Sequence, residues 1–278
     1  TWTDLVVVGE WMPITFFKNN HGVLKKLSGN NRPADFGWWR CIKSGDFDHD
    51  GDMDFVVGNF GLNSIYKASQ KEPIAMYVKD FDGNGSIDPF VCRFIQGKEY
   101  PIHPRETMTE QMVSLRRVLT SYAKYGASSL QEILSPEQRE NMNVFKCDQL
   151  ASSYIENSGN GNFKLKELSI ECQTSPINDF YVEDINGDGN LDVIAIQNDY
   201  SFETLGGLYD AGIGLILIGD GKGNFSKAKT TETNFCVRGD ARSIEKIQAK
   251  DGHSLYLITQ NQDSLIVYEK NNNFQLSY

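Results

Sequence analysis

The stretch that decides the fold is Asp46-Phe-Asp48-His-Asp50-Gly51-Asp52-Met-Asp54, an acidic nonapeptide that recurs twice further along the chain. The second copy is Asp80-Phe-Asp82-Gly-Asn84-Gly85-Ser86-Ile-Asp88, and the third is Asp184-Ile-Asn186-Gly-Asp188-Gly189-Asn190-Leu-Asp192. We call these segments the first, second and third acidic loops. In each, oxygen-bearing side chains occupy positions 1, 3, 5 and 9, and glycine occupies position 6. A hard cation such as calcium takes about six to eight oxygen ligands, and the glycine permits the sharp turn that directs them inward.

The acidic loops therefore predict calcium sites with side-chain ligands from positions 1, 3, 5 and 9, a backbone carbonyl from position 7, and water. The candidate metal-binding residues are Asp46, Asp48, Asp50, Asp52, Asp54, Asp80, Asp82, Asn84, Ser86, Asp88, Asp184, Asn186, Asp188, Asn190 and Asp192. An alternative is that the loops are only polar turns, because Asp, Asn and Gly dominate turns for reasons unrelated to metals. That alternative is weakest for the first acidic loop, where five carboxylates would repel one another without a cation.

The acidic loops do not match an EF-hand, which needs a bidentate Glu at position 12 and a helix on each side. Position 12 is Val57, Val91 and Ala195 in the three loops. Each loop is followed by a short run rich in Val, Ile and Phe, a pattern typical of buried β-strands. We therefore expect the loops to join strand to strand, with position 9 at the start of the second strand.

Composition narrows the classes of partner. The chain has 278 residues and a formal net charge of -10, which argues against nucleic acid or an anionic membrane surface as partner. Its five cysteines form no C-x-x-C pair, so neither zinc nor a redox motif is indicated. No run approaches the roughly 18 apolar residues of a transmembrane helix. Calcium sites of this kind suit calcium-rich surroundings, and we expect a secreted, periplasmic or cell-surface protein.

A strand, a Gly/Asn turn and another strand also recur, around residues 15–23, 154–163, 217–225 and 267–274. These are hairpin signals; the turn at 219–225 has no acid at position 9 and is read as a hairpin without metal. The repeating unit is an acidic loop, two strands, a hairpin turn and an outer strand. It recurs near residues 1–30, 36–78, 74–170, 176–230 and 235–278. Four short strands per repeat are typical of a β-propeller. We expect an all-β, single-domain propeller over residues 1–278 with about five blades, either as a ring of its own or as part of a larger ring; a solenoid is the next choice.

One segment departs from the repeat, because the second and third acidic loops begin 104 residues apart whereas the first and second begin 34 apart. Apolar residues at helical spacing, which predict a helix, are Met108, Met112, Leu115, Leu119 and Tyr122. Leu130, Ile133 and Leu134 indicate a second helix, and Ser135-Pro136-Glu137-Gln138 reads as a capping box. The sequence therefore predicts a helical insertion over about 105–148. This insertion either packs over a blade or the open face of the ring, or carries function.

The start of the chain carries a fragment of the same pattern. Thr3-Asp4-Leu-Val-Val-Val-Gly parallels Met53-Asp54-Phe-Val-Val-Gly, so Asp4 stands where position 9 of an acidic loop would stand. We therefore expect the sequence to be a piece of a longer protein.

The acidic loops, the Phe60-Gly61 pair after the first of them, and the stretch Glu183-Asp-Ile-Asn-Gly-Asp-Gly-Asn-Leu-Asp-Val together resemble the FG-GAP/VCBS repeat proteins. That group includes the integrin α-subunit propeller, and the likeness is strongest to bacterial VCBS-repeat proteins of the Bacteroidetes type. The resemblance implies a β-propeller whose loops bind calcium and rigidify the blades.

No catalytic motif is present: the four histidines are far apart, and neither a G-x-S-x-G elbow nor a P-loop occurs. We expect a non-enzymatic module for adhesion or partner recognition, with a protein or glycan ligand. The alternative is a carbohydrate-binding or carbohydrate-active propeller, hydrolase or lyase, because propeller enzymes assemble sites without a linear motif. Tyr200, Phe202 and Tyr209 are the candidate ligand-facing residues, whereas core packing is expected for the tryptophans.

Overall fold

The computed structural model describes residues 2–27, 35–203, 206–250, 252–270 and 276–277, without the side chains at 202–203 and 276–277. The described chain is mostly β-structure with antiparallel sheets, as the sequence predicts. The strands are β1 Leu5–Val7, β2 Glu10–Pro13, β3 Thr15–Asn20, β4 Val23–Lys26, β5 Phe36–Trp38, β6 Cys41–Gly45, β7 Asp54–Gly58, β8 Ile74–Lys79, β9 Asp88–Ile95, β10 Lys98–Pro101, β11 Asn143–Cys147, β12 Ser153–Asn157, β13 Phe163–Glu167, β14 Ile177–Glu183, β15 Asp192–Gln197, β16 Asp199–Glu203, β17 Gly207–Tyr209, β18 Leu215–Gly219, β19 Phe225–Lys227, β20 Ala241–Gln248, β21 Ser254–Gln260, β22 Ile266–Lys270 and β23 Leu276–Ser277. The helices are α1 Arg105–Gln111, α2 Leu115–Val118, α3 Tyr122–Ala127, α4 Leu130–Ile133, α5 Pro136–Arg139 and α6 Thr230–Thr233, with a 3-10 helix at Ile170–Gln173.

The chain forms two compact units. Unit 1 comprises Thr1–Ala34, Trp38–Ile65 and Leu150–Tyr278, and unit 2 comprises Asp35–Gly37 and Tyr66–Gln149. Within the described part of the chain, no helix combines the length and apolarity needed to cross a membrane.

Unit 1 contains a recurring four-stranded sheet. Three sheets of unit 1 have four strands, in the orders β13-β12-β7-β6, β14-β15-β18-β19 and β20-β21-β22-β23. A further sheet has three strands in the order β1-β3-β4. Strand β14 packs against both β6 and β20, so the first strands of the three larger sheets lie side by side. Buried apolar side chains such as Val56, Phe180 and Ile194 fill the space between neighbouring sheets.

The acidic loops join first to second strands, as predicted: β6 to β7, β8 to β9, and β14 to β15. The hairpin turn at 219–225 is also confirmed, since Gly219 pairs with Phe225. The expected division into segments 36–78 and 74–170 is wrong, because β12 pairs with β7 and completes the sheet of the first acidic loop. Sequence periodicity shows which residues form strands, but not which strand edges meet across about a hundred residues.

Unit 2 has a sheet of order β10-β9-β8-β11 and five short helices. The helix expected over Met108–Tyr122 is broken into three, since Met112 and Leu119 have non-helical backbone angles. Both side chains are nevertheless buried in one cluster with Phe81 and Phe90. Packing around that cluster, rather than one continuous helical face, sets their spacing.

The capping box predicted at Ser135 is confirmed. Ser135 Oγ accepts the Gln138 N–H at 3.3 Å, and Gln138 Oε1 accepts the Ser135 N–H at 3.0 Å. The two bonds satisfy backbone donors at the start of α5.

Candidate metal centres

The first acidic loop brings three carboxylates to one point. Oxygens of Asp46, Asp48 and Asp50 lie within 4.8 Å of one another, and Asp46 Oδ1 is buried without a hydrogen-bond partner among the described residues. Burial, and then the neighbouring carboxylates of Asp50 and Asp46, raise the pKa of Asp48 above its ordinary value. A hard cation would supply the missing partner and offset this repulsion, so the donor set fits calcium.

The second acidic loop makes a comparable group from a different choice of positions. Oxygens of Asp80, Asp82 and Asp88 lie within 4.8 Å of one another. Here the carboxylate at position 1 also orders the loop, because Asp80 accepts the backbone N–H groups of positions 4, 5 and 6 at 2.8 to 3.1 Å. Ser86, at position 7, donates its backbone N–H to Asn84 Oδ1 at 2.7 Å.

The third acidic loop repeats this hydrogen bonding. Asp184 accepts the N–H groups of positions 4, 5 and 6 at 2.6, 3.1 and 2.9 Å, and Asp188 accepts the N–H of Asn190 at 2.8 Å. Asn186 Nδ2 donates to Asp188 Oδ2 at 3.0 Å, which keeps the side chains of positions 3 and 5 together. An ionised carboxylate offers about four acceptor sites, so these bonds leave room for a cation.

The aspartate at position 9 closes each loop. Asp54, Asp88 and Asp192 are buried, and Oδ2 of each accepts the backbone N–H of position 2 at 2.9 to 3.3 Å. In unit 1 the other oxygen accepts a backbone N–H from the end of the third strand: Asn157 for Asp54 at 2.8 Å and Gly219 for Asp192 at 2.9 Å.

The closing aspartates differ in the side chains that donate further hydrogen bonds to them. Tyr154 Oη donates to Asp54 Oδ2 at 2.6 Å, whereas Gln111 Nε2 from α1 donates to Asp88 Oδ1 at 3.1 Å. Burial raises the pKa of Asp54 and of Asp192 although these hydrogen bonds oppose the rise. The supporting donors Tyr154, Asn157, Gly219 and Gln111 were not identified from sequence, because none stands at a fixed distance from its loop.

The first and third acidic loops are neighbours within unit 1. The ring nitrogen Nε2 of His49 lies 3.0 Å from Asn190 Oδ1. A hydrogen bond therefore links position 4 of the first acidic loop to position 7 of the third. Asp52, at position 7 of the first loop, is exposed, and its backbone N–H donates to Asp50 at 2.8 Å.

The aromatic residues proposed to face a ligand are in different surroundings. Tyr200 is 40% exposed and its hydroxyl donates to the Arg238 carbonyl at 2.8 Å. Tyr209 is buried, with its ring 4.7 Å from that of Phe60. The side chain of Phe202 lies outside the part of the chain that the structure describes. Trp38 and Trp39 are buried in unit 1, which agrees with the core role expected for them.

A second polar cluster lies at the other end of the first strands in unit 1, and sequence reasoning missed it. Asp199 accepts from Arg40 at 2.7 Å and from Arg242 at 3.1 Å. Asn178 accepts from Arg40 at 3.0 Å and donates to the Ala241 carbonyl at 2.7 Å. Asn178, Asp199 and Arg242 lie on β14, β16 and β20, and Arg40 precedes β6. No linear spacing connects these positions.

The Phe60-Gly61 pair has a clear packing reason. Phe60 is 1% exposed, and Gly61 has φ +86 with its backbone against the Gln173 carbonyl, which would lie 2.8 Å from an added Cβ. Only glycine combines this φ with so close an approach.

Comparison with known protein families gives a match at the start of the chain. No curated protein matches the chain. The family model described as FG-GAP-like repeat matches residues 1–57, which include β1 to β6 and the whole first acidic loop. This part of the chain is therefore similar to an FG-GAP-like repeat, and the match supports the FG-GAP repeat family.

Proposed function

We propose that the protein is a calcium-binding FG-GAP/VCBS β-propeller of the bacterial type, acting as a non-enzymatic recognition or adhesion module outside the cytoplasm. The observation that carries the proposal is the convergence of Asp46, Asp48 and Asp50 around the unpartnered Asp46 Oδ1. All donors are oxygens carried on one turn, which suits calcium better than magnesium, because magnesium demands near-ideal octahedral geometry.

The propeller assignment is supported by the repetition of one sheet plan in unit 1. Three four-stranded antiparallel sheets follow one another, with β14 packed between β6 and β20. Radial repetition of such sheets is the propeller arrangement. Under this proposal each acidic loop is a blade turn, and bound calcium holds the first and second strands of a blade in register.

The recognition role is supported by two long connections between neighbouring strands of unit 1. Residues 59–152 and 198–214 each connect the second strand of a sheet in unit 1 to the third strand of the same sheet. Long connections on a rigid scaffold are common carriers of binding function. The ligand under this proposal is a protein or glycan at a cell surface, and the net charge of -10 disfavours nucleic acid.

Calcium dependence is the direct test. A ligand that binds only the folded state stabilises it by about 2.7 kcal/mol at a hundredfold excess over Kd. We expect calcium to raise the Tm and EDTA to lower it, as measured by calorimetry. Asp46→Asn should bind about one calcium fewer per chain, counted by equilibrium dialysis.

Asp220→Asn is the matched control, because Asp220 accepts N–H bonds from Lys222 and Asn224 in a hairpin turn without converging acids. This variant should bind as much calcium as the parent. A melting curve identical with and without EDTA would contradict the calcium proposal.

Binding on a glycan array and to cell surfaces, together with hydrolysis and lyase assays on polysaccharides, tests the recognition role. Binding without bond cleavage is the expected outcome. Cleavage would instead support the carbohydrate-active alternative.

A further inference from the structure

Position 4 of the first acidic loop has a backbone conformation that does not suit its residue type. His49 has φ +62, whereas glycine occupies the same position in the other two loops, as Gly83 with φ +73 and Gly187 with φ +80. This left-handed conformation is unfavourable for a residue with a side chain but not for glycine. Strain of this kind is retained where the side chain has a role.

The side chain of His49 reaches the third acidic loop. Its Nε2 lies 3.0 Å from Oδ1 of Asn190, at position 7 of that loop. Position 7 is where a backbone carbonyl is predicted to complete the calcium site. A residue of the first loop therefore holds the orientation of a residue at the candidate site of the third.

The hairpin turn at 219–225 packs against this bond. Its Gly221 has φ +68, and a Cβ added there would press on Asn190 Oδ1 and lie 3.0 Å from His49 Cδ2. Glycine is therefore required at this point of the turn. The turn leaves little room for either side chain to move away from the other.

The same turn makes a backbone hydrogen bond to each loop. Gly223 donates its N–H to the carbonyl of Phe47, at position 2 of the first loop, at 3.2 Å. Gly219 donates its N–H to Asp192, the closing aspartate of the third loop, at 2.9 Å. The first and third loops are therefore joined both through His49 and through the backbone of this turn.

These contacts make the order of one loop depend on the order of the other. Binding that rigidifies a segment has a conformational entropy cost, and a second ligand meets a smaller cost where that segment is already ordered. Ordering of either loop fixes one end of the bond between His49 and Asn190, so less remains to be ordered at the other end. A coupling free energy of this kind acts equally in both directions.

We propose that His49 couples the first and third acidic loops, so that calcium binds to these two loops with positive cooperativity. His49 is a positioning residue, because it holds Asn190 and is not itself one of the predicted ligands. This inference rests on the calcium binding proposed above and adds a link between two of its sites. The second acidic loop belongs to unit 2 and has Gly83 at position 4, so it has no side chain for such a bond and should titrate by itself.

Calcium titrations of the isotope-labelled 278-residue chain, followed by NMR, test the coupling loop by loop. The amide signals of Gly51, Gly85 and Gly189, at position 6, report the first, second and third loops. Asp184→Asn combined with Asp188→Asn disables the third loop. The calcium concentration at the midpoint of the Gly51 titration should then rise at least about fivefold, and the Gly85 titration should not change.

The coupling should also appear in the opposite direction. Asp46→Asn, in the first loop, should raise the midpoint of the Gly189 titration by a similar factor, because coupling between two binding sites is reciprocal. The Gly85 titration should again stay the same.

His49→Gly tests the link itself, because it removes the bond and supplies the residue that this backbone conformation favours. In this background the third-loop substitutions should lose most of their effect on the Gly51 midpoint. The same comparison separates the bond from the general loss of negative charge in the third loop. His21→Gly is the matched control, since His21 also has a positive φ, +53, in the turn between β3 and β4, and it should keep the full shift.

An equal shift in the His49→Gly and His21→Gly backgrounds would overturn the coupling, as would an unchanged Gly51 midpoint when the third loop is disabled. Amide signals that respond to calcium in every loop without such a shift would refute the link alone and leave the calcium proposal intact. Signals that respond to calcium in none of the loops would contradict both.

Discussion

At the scale of single residues, the aspartate at position 9 both closes its loop and links it to the rest of the sheet. Asp54 accepts hydrogen bonds from Phe47, Asn157 and Tyr154 while fully buried. A buried carboxylate is tolerated only when such donors compensate for lost hydration. The residue type at position 9 could be predicted from the repeat, whereas its partner Tyr154, 100 residues away, could not.

Removing the Tyr154 hydroxyl should therefore be costly. Tyr154→Phe leaves Asp54 Oδ2 with one donor fewer in a buried setting, and we expect a loss of about 1 to 3 kcal/mol in the free energy of unfolding, measured with urea. Tyr200→Phe is the control, because residue Tyr200 is 40% exposed and its hydroxyl donates only to the carbonyl of Arg238. This control should change stability by less than about 0.5 kcal/mol, and equal effects of the two variants would contradict the interpretation.

At the scale of elements, one lysine of unit 2 connects the strand before the second acidic loop to helix α5. Lys79, the last residue of β8, donates to the carbonyls of Gln138 and Glu140 at 3.1 and 2.7 Å. These carbonyls lie at the end of α5, where a cation is favourable. The capping box at the start of this helix was visible in the sequence, because it is local. The lysine was not, because its contact joins residues about 60 positions apart.

Lys79→Met should loosen the end of α5. We expect unfolding to require about 1 kcal/mol less free energy, with faster amide exchange at the end of the helix. Lys71→Met, at an exposed lysine in the same unit, provides the comparison and should leave both measurements unchanged. If amide exchange at the end of α5 is unchanged in Lys79→Met, Lys79 does not stabilise this helix end.

At the scale of the whole molecule, neighbouring sheets of unit 1 meet through ion pairs at the end opposite the acidic loops. Asp199 is 5% exposed and lies between Arg40 and Arg242. Burial alone would raise the pKa of Asp199, but the Arg40 guanidinium, the Ser201 N–H and Arg242 together lower it below its ordinary value. The ionised form is thus favoured in the folded protein.

This lowered pKa gives the stability a definite pH dependence. Because the folded-state pKa lies below that of the unfolded chain, about 3.9, the stabilisation is present above about pH 4 and lost as the pH falls through the folded value. Asp199→Asn should cost about 3 kcal/mol at pH 7, since it leaves buried guanidinium charge uncompensated. The gap from the parent should shrink below about pH 4, as measured by chemical unfolding across pH.

Asp4→Asn is the surface comparison. Asp4 also has a lowered pKa, caused first by its hydrogen bond with Lys18, but the pair is exposed and should contribute less than about 1 kcal/mol. A cost of Asp199→Asn that stays constant from pH 7 to pH 3 would contradict the ion-pair account.

The sequence by itself determined the local features: the three acidic loops, the strands that follow them, the hairpin turns and the Ser135 cap. Each depends on residue types at fixed short spacings, where turn chemistry and side-chain alternation act directly. The tertiary structure alone decided that β12 completes the sheet of β7, that Asn157 and Gly219 hold the closing aspartates, and that Arg40, Asp199 and Arg242 meet. These contacts join distant segments, and they arise from how strand edges and buried faces pack, for which no linear spacing exists.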